Sequence, residues 1–326
     1  MGAWLVRRAV AAVATVVAVL TLTFVAIHLA PGTPFMPQGD RPPLDSVTVS
    51  RLQAEFGLDR PLGVQYGRYV VALAHGELGQ SFSQRRPVAA MLGDAMPNTL
   101  LLTGAALAID FLLGLVIGVF QATRAHHRSD VVVTNVTLLL YSLPTFWFGL
   151  ILLLVFGEWL RWFPVGGIVD PAIYYSLGSA ARVFDRIRHL ILPALTLGLV
   201  GAAGTARFQR SALIETLQQE YIRVARAKGL STWRVLWRHA VRNALLPYVT
   251  LLGLAIPFLL TGAVVVESVF AWPGMGKLAA DAIATRDYPV VAATTLLASA
   301  LVVIGSLLAD VTYAAIDPRT RIKVGA

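Results

Sequence analysis

The sequence predicts an all-α integral membrane protein with six transmembrane helices, and three observations carry that reading. Of its 326 residues, 56% are hydrophobic and only 14% charged, where a soluble globular domain carries about 25% charged residues. The apolar residues gather into runs long enough for a bilayer core, which takes about 20 residues of helix. The basic residues then divide unevenly between the two sides that those runs define.

Six segments qualify as spans: residues 9–30, 98–121, 131–156, 190–206, 245–266 and 290–309. The first follows Arg7 and Arg8, as a signal sequence would. Its apolar run, 22 residues long, is too long for a usual cleaved signal, and no clear A-x-A site follows it, so it reads as a retained signal anchor. The fourth is short and rich in small residues (Gly198, Gly201, Ala202, Ala203, Gly204), which suits close helix packing. The fifth carries Pro247 and Pro257 and is expected to kink.

With the N-terminus inside, the cytoplasmic pieces hold 15 Lys and Arg, eight of them within 207–244. The outside pieces hold 12 in nearly twice the length, balanced by 12 acidic residues. This is the positive-inside pattern, with both termini in the cytoplasm, and it accounts for the net charge of +9 without nucleic acid. The chain has no cysteine, which excludes disulfides, thiolate metal sites and a cysteine nucleophile.

The organisation expected is a signal-anchor span (1–30), an outer loop (31–97), a transmembrane domain (98–316) and a cytoplasmic tail (317–326). The outer loop is read as helical: Pro61 and Pro87 stand where helices start, and Val64, Tyr69, Val70 and Leu73 form a helical stripe. Trp159 and Trp162, just past the third span, suit the interface depth that tryptophan favours.

The most informative stretch is 207–247, RFQRSALIETLQQEYIRVARAKGLSTWRVLWRHAVRNALLP. It is basic and helix-prone, with a break at Gly229-Leu230-Ser231. Ser231 is expected to cap a second helix, on which Trp233, Val235, Leu236, Trp237 and Val241 supply an apolar surface. Tryptophan and arginine are typical interface anchors. The segment therefore reads as a docking surface for another protein, with an amphipathic helix on anionic lipid as the alternative.

The same stretch resembles the cytoplasmic coupling loop of binding-protein-dependent ABC importers, and in particular the permeases of the dipeptide/oligopeptide/nickel family. EYIRVARAKGL and RHAVRNALLP carry the resemblance. So do LAPGTP, FGLDRPLGVQYGRYVVALAHGELGQSF and RRPVAAMLGDAMPNTLLL before it, and VVVESVFAWPGMGKLAADAIATRDYPVV and YAAIDPRTR after it. The long first outer loop is similar to the first of the two permease types. The resemblance implies a type I ABC importer permease in a bacterial inner membrane, forming half of a path for peptides or a related small solute. It implies a second permease subunit, two ATPase subunits and an extracytoplasmic solute-binding protein as partners, with no cofactor in this chain.

For coupling to the ATPase, the resemblance implicates Glu220, Ala225, Ala227, Gly229, Leu230, Ser231, Trp233, His239 and Asn243. The chain departs from the general Glu-Ala-Ala signature: Arg223 replaces its glutamate, and Pro247 lies farther from Gly229.

Two acids remain. Asp110 lies mid-span, where an ionised carboxylate costs about 2.5–3.5 kcal/mol, so it is expected to be protonated, paired or facing water. Glu267 ends the fifth span within VESVF. Each is either part of the translocation path or gate, or a structural partner. The competing function is a stand-alone secondary transporter using Asp110 as an ion or proton site. Gly274–Lys277 (GMGK) lacks the spacing, the following Ser or Thr and the preceding strand of a phosphate loop. His126-His127 reads as a solvated turn, no zinc-ligand spacing appears, and the chain is expected to be a transport subunit rather than an enzyme.

Overall fold

Backbone groups that leave water must pair within their own segment, which a helix achieves without help. The computed structural model of the protein describes residues 2–30, 34–35, 45–245, 248 and 263–316. Among these the fold is helical, and the one β-type pairing is an isolated bridge between Gln80 and Pro87.

The helices are α1 (Gly2–Leu29), α2 (Ser46–Glu55), α3 (Leu62–Ala74), α4 (Val88–Thr123), α5 (Arg128–Ser142), α6 (Thr145–Leu152), α7 (Ser179–Leu217), α8 (Glu220–Ala227), α9 (Thr232–Arg234), α10 (Met275–Ala284) and α11 (Tyr288–Ile316). Two π-helical stretches extend α6 over Leu153–Trp159 and α9 over Val235–Val241. Pro61 and Pro87 stand immediately before α3 and α4, one place ahead of the first helical residue.

Four helices are long and apolar enough to cross a membrane: Val6–Leu29, Val88–Thr123, Ser179–Leu217 and Tyr288–Leu307. The expected third span is not one rod. It is α5 and extended α6, bent by 105° at the break between them. The cause is local: Pro144 restricts the residue before it to extended backbone, and Leu143 adopts φ −76° and ψ 135°. The expected fifth span, with Pro247 and Pro257, lies largely outside the described residues, as does the tail 317–326.

The chain divides into two compact units. One comprises Asn98–Gly276 and the chain from Leu301. Its core gathers Leu102, Ala106, Leu192, Leu197, Val266, Phe270 and Trp272. A second cluster, with Val119, Leu213, Ile222, Val235, Ala240 and Val241, holds the 207–245 region against α4 and α7.

The other unit comprises Gly2–Pro97 and Lys277–Ala300. The helical outer loop is held to α1 here: Thr21 Oγ1 and Tyr66 Oη are 2.7 Å apart, and His28 Nε2 and Gln65 Oε1 3.1 Å. Asp287, just before α11, accepts from Ser81 Oγ, Phe82 N, Ser83 N and Ser83 Oγ at 2.5–3.1 Å. A buried carboxylate so supplied meets the requirement that charge leaving water keep its hydrogen bonds.

Candidate functional site

The segment expected to dock a partner starts within α7, at Arg207, and leaves that helix after Leu217. Gln219, in extended conformation (φ −66°, ψ 148°), redirects the chain into α8. Glu220 lies in the first turn of α8 and Arg226 in its last, each at the helix end whose partial charge it complements. Ile222 and Ala225 turn inward and are buried, whereas Tyr221, Val224 and Ala227 are exposed.

Gly229 ends α8 with φ +75°, and its N–H donates to Arg226 O at 2.9 Å. A residue at that φ caps a helix, and glycine adopts it without Cβ strain. A Cβ built there meets nothing within 4 Å, so the requirement is conformational and not steric.

Ser231 stands ahead of α9 with its carbonyl accepting from Val235 N at 3.0 Å. Its hydroxyl makes no cap bond, unlike the expectation. The expected single apolar face is also divided. Val235 and Val241 are buried in the second cluster, Leu230 and Leu236 pack on its edge, and the two tryptophans face outward. Trp233 is 71% exposed, and its ring centroid lies 5.4 Å from that of Trp237. Six basic residues of the same segment are exposed as well: Arg223, Arg226, Lys228, Arg234, Arg238 and Arg242. The surface so formed is aromatic, positively charged and held from behind by packing.

His239 is half-buried, and its carbonyl accepts from Asn243 Nδ2 at 2.9 Å. The same amide nitrogen donates to Tyr221 Oη at 2.9 Å, joining the second helix to α8. Asn243 thus ties the two halves of the segment across Gly229.

An ion pair that sequence reasoning missed braces α7 where the segment begins. Arg210 Nε and Nη2 donate to Asp130 Oδ1 and Oδ2 at 3.1 and 2.8 Å, and His126 N and Thr134 Oγ1 complete the carboxylate's shell. The two residues are 80 apart in sequence, and no motif spacing joins them.

Asp110 is buried between α4 and α7, accepting from Thr205 Oγ1 at 2.7 Å. Gly201 makes the room, because a Cβ there would overlap the Asp110 carboxyl. Nearby, Tyr248 Oη donates to Phe111 O at 2.7 Å.

Glu267 is fully buried and accepts from Thr99 Oγ1 at 2.5 Å. Its carboxyl fills the space over Gly274 and Gly276, where any Cβ would collide with it. Thr99 Oγ1 in turn accepts from Met275 N at 2.8 Å, and buried Trp272 donates from Nε1 to Asn98 O at 3.0 Å. The two glycines of GMGK therefore enclose a carboxyl group. Among the described residues, no three His, Asp or Glu side chains are placed to hold a metal ion.

Comparison with known proteins covers the whole chain. The family described as "Binding-protein-dependent transport system inner membrane component" matches residues 114–322, and its N-terminal counterpart matches residues 1–103. An oligopeptide transport system permease protein of Bacillus subtilis is 39% identical, over 98% of this chain and 99% of that protein. A di/tripeptide transport system permease protein of Pseudomonas aeruginosa is 41% identical over the same shares. A glutathione transport system permease protein of Salmonella paratyphi A is 37% identical, also over 98% and 99%. Among solved structures, a crystal structure of an amino acid ABC transporter superposes with a TM-score of 0.51 at 15% identity, over 70% of this chain and 94% of that one. That last likeness concerns the fold alone.

Proposed function

The chain belongs to the family of binding-protein-dependent transport system inner membrane components, and from that premise we propose that it is one permease subunit of an ATP-driven importer of peptides. The observation that carries this reading is full-length similarity to peptide permeases at 39–41% identity. The chain is a transport subunit and not an enzyme; ATP hydrolysis resides in partner chains. A stand-alone secondary transporter finds no support among the relatives.

The partners are a second homologous permease, two ATPase subunits and a solute-binding protein outside the membrane. Both termini and the 207–247 segment face the cytoplasm, in keeping with the eight basic residues of 207–244. The face bearing Tyr221, Val224, Trp233 and Trp237 docks into the ATPase, and Glu220, Ala225, Ala227, Gly229, Leu230, Ser231, His239 and Asn243 shape it. Coupling follows if the ATPase binds this face differently in the inward-open and outward-open states, since only differential binding shifts a conformational equilibrium.

Asp110 and Glu267 act on the path or gate from behind. Asp110 joins two of the helices that form the wall, and Glu267 fixes the turn that closes the fifth span. Burial of both carboxyls supports this positioning role.

The test is reconstitution in proteoliposomes with the partner permease, the ATPases and the binding protein. Peptide uptake should require ATP and all four partners' chains. Uptake driven by an ion gradient without ATPase would overturn the assignment.

A further inference from the structure

The N-terminal unit encloses a cavity of about 290 Å³ that the transport cycle as described does not use. That volume lies at the lower edge of the range for small-ligand sites, about 300–1,000 Å³. Its wall has three parts. The last two turns of α1 supply Phe24, Ile27 and His28; the outer loop supplies Phe56, Phe82 and one side of α3; the first turns of α11 supply Tyr288 and Ala292. Two of these three parts are the ends of membrane-crossing helices, Val6–Leu29 and Tyr288–Leu307. The cavity therefore lies at the depth where hydrocarbon gives way to headgroups.

Two polar groups in the wall have no hydrogen-bond or ion-pair partner among the described residues. The Tyr69 hydroxyl is buried with no hydrogen-bond partner. Burial pushes its pKa up to about 12, which keeps it a proton donor. A buried donor left unmet is destabilising, so a bound acceptor would remove a penalty. Arg68, one residue away, also lines the cavity and is exposed, with no ion pair among the described residues. A mainly apolar chamber, whose wall also carries Glu77, with one orphan donor and one exposed guanidinium at headgroup depth, suits a hydrocarbon chain ending in oxygen acceptors and an anion.

We propose that this cavity is a phospholipid site, holding one acyl chain among Phe24, Phe56 and Ala72, with an ester oxygen at the Tyr69 hydroxyl and the phosphate at Arg68. It rests on the reading of α1 and α11 as membrane spans, and not on the identity of the transported solute. Bound lipid would join the outer loop to the ends of the first and last spans, as a further tie beside the Thr21–Tyr66, His28–Gln65 and Asp287 contacts.

The test uses the whole transporter in nanodiscs containing a phospholipid with a photoactivatable group on its acyl chain. Cross-linked peptides are mapped by mass spectrometry. Residues 62–78 should be labelled above the lipid-exposed valine face of α1 (Val10, Val13, Val17), which serves as internal reference. Ala72→Trp, which fills the cavity, should lower that labelling about tenfold relative to the reference, equivalent to ~1.4 kcal/mol. Arg68→Gln, an exposed change compatible with folding, should remove the preference for a phospholipid over an uncharged diacylglycerol probe. Labelling no higher than the valine face, or unchanged in both variants, overturns the site. Labelling by a photoactivatable hydrophobic dipeptide that Ala72→Trp abolishes would also overturn it, by assigning the cavity to peptide. ATP-driven uptake is read separately, so failure of the lipid site and failure of the transport assignment are distinguishable.

Discussion

Gly229 and Gly274 both stand at bends between helices in the same compact unit, and they are glycine for opposite reasons. At Gly229 the space is open, and only the backbone conformation (φ +75°) disfavours a side chain. At Gly274 no positive φ is involved, and the buried Glu267 carboxyl occupies the place of a Cβ. The surroundings follow the same division. Near Gly274, Trp272 is buried and hydrogen-bonded within the chain. Near Gly229, Trp233 is exposed. One bend is complete in this chain alone, while the other presents a surface that a partner would complete.

The comparison is broken most easily at the closed bend. Gly274→Val should cost more than about 3 kcal/mol, at the severe end for single substitutions, because the fully buried Glu267 carboxyl already fills the space and cannot move aside into solvent. Yield of monodisperse protein and its thermal midpoint report this. Combining Gly274→Ala with Glu267→Ala should lose less than the sum of the two, with a coupling of about 0.5–3 kcal/mol. Strict additivity would mean that the two groups do not compete for the same space.

The open bend should respond in the reverse sense. Replacing Trp233 and Trp237 together by Ala should leave the chain's own stability within about 0.5 kcal/mol. It should cost about 2 kcal/mol or more in ATPase binding, as removal of interface anchors does. Pull-down of ATPase subunits with the tagged permease measures the second quantity. Retained ATPase at wild-type stoichiometry and affinity would remove the docking face from the account.

A smaller effect is expected from Gly229→Val, about 1–2 kcal/mol of left-handed strain, with membrane insertion intact. Gly229→Asn should cost less, since asparagine visits that region more readily. Protease protection of the spans and thermal midpoints order the three residues at this position. Smallest of all is Asp110→Asn: the amide oxygen still accepts from Thr205, so stability should change by under about 1 kcal/mol and uptake should persist. A selective loss of uptake would place the carboxylate in the path itself.

Much of this was legible in the sequence, and the parts that were not share a cause. Apolar spans depend on composition within a window, which the chain carries locally. Pro144 was visible inside the run 131–156, yet hydropathy averages over direction and does not register a 105° bend. The 207–247 segment was legible as basic and aromatic, but its division into buried Val235 and exposed Trp233 depends on how it packs against α4 and α7. Glu267 lies 168 residues from Thr99, and Asp287 lies 206 from Ser81. Contacts at such separation leave no periodicity behind. The two glycines of GMGK were readable as unlike a phosphate loop, but the carboxyl group that requires them was not.

The central claim, that the segment around Gly229 transmits ATP hydrolysis to the spans, is tested most directly by peptide taken up per ATP hydrolysed. The measurement is made in proteoliposomes carrying the complete transporter with Gly, Asn or Val at position 229. The account predicts a ratio near wild type for Gly229→Asn and a marked fall for Gly229→Val, with insertion and assembly of the spans unchanged. Equal ratios for all three residues would contradict it.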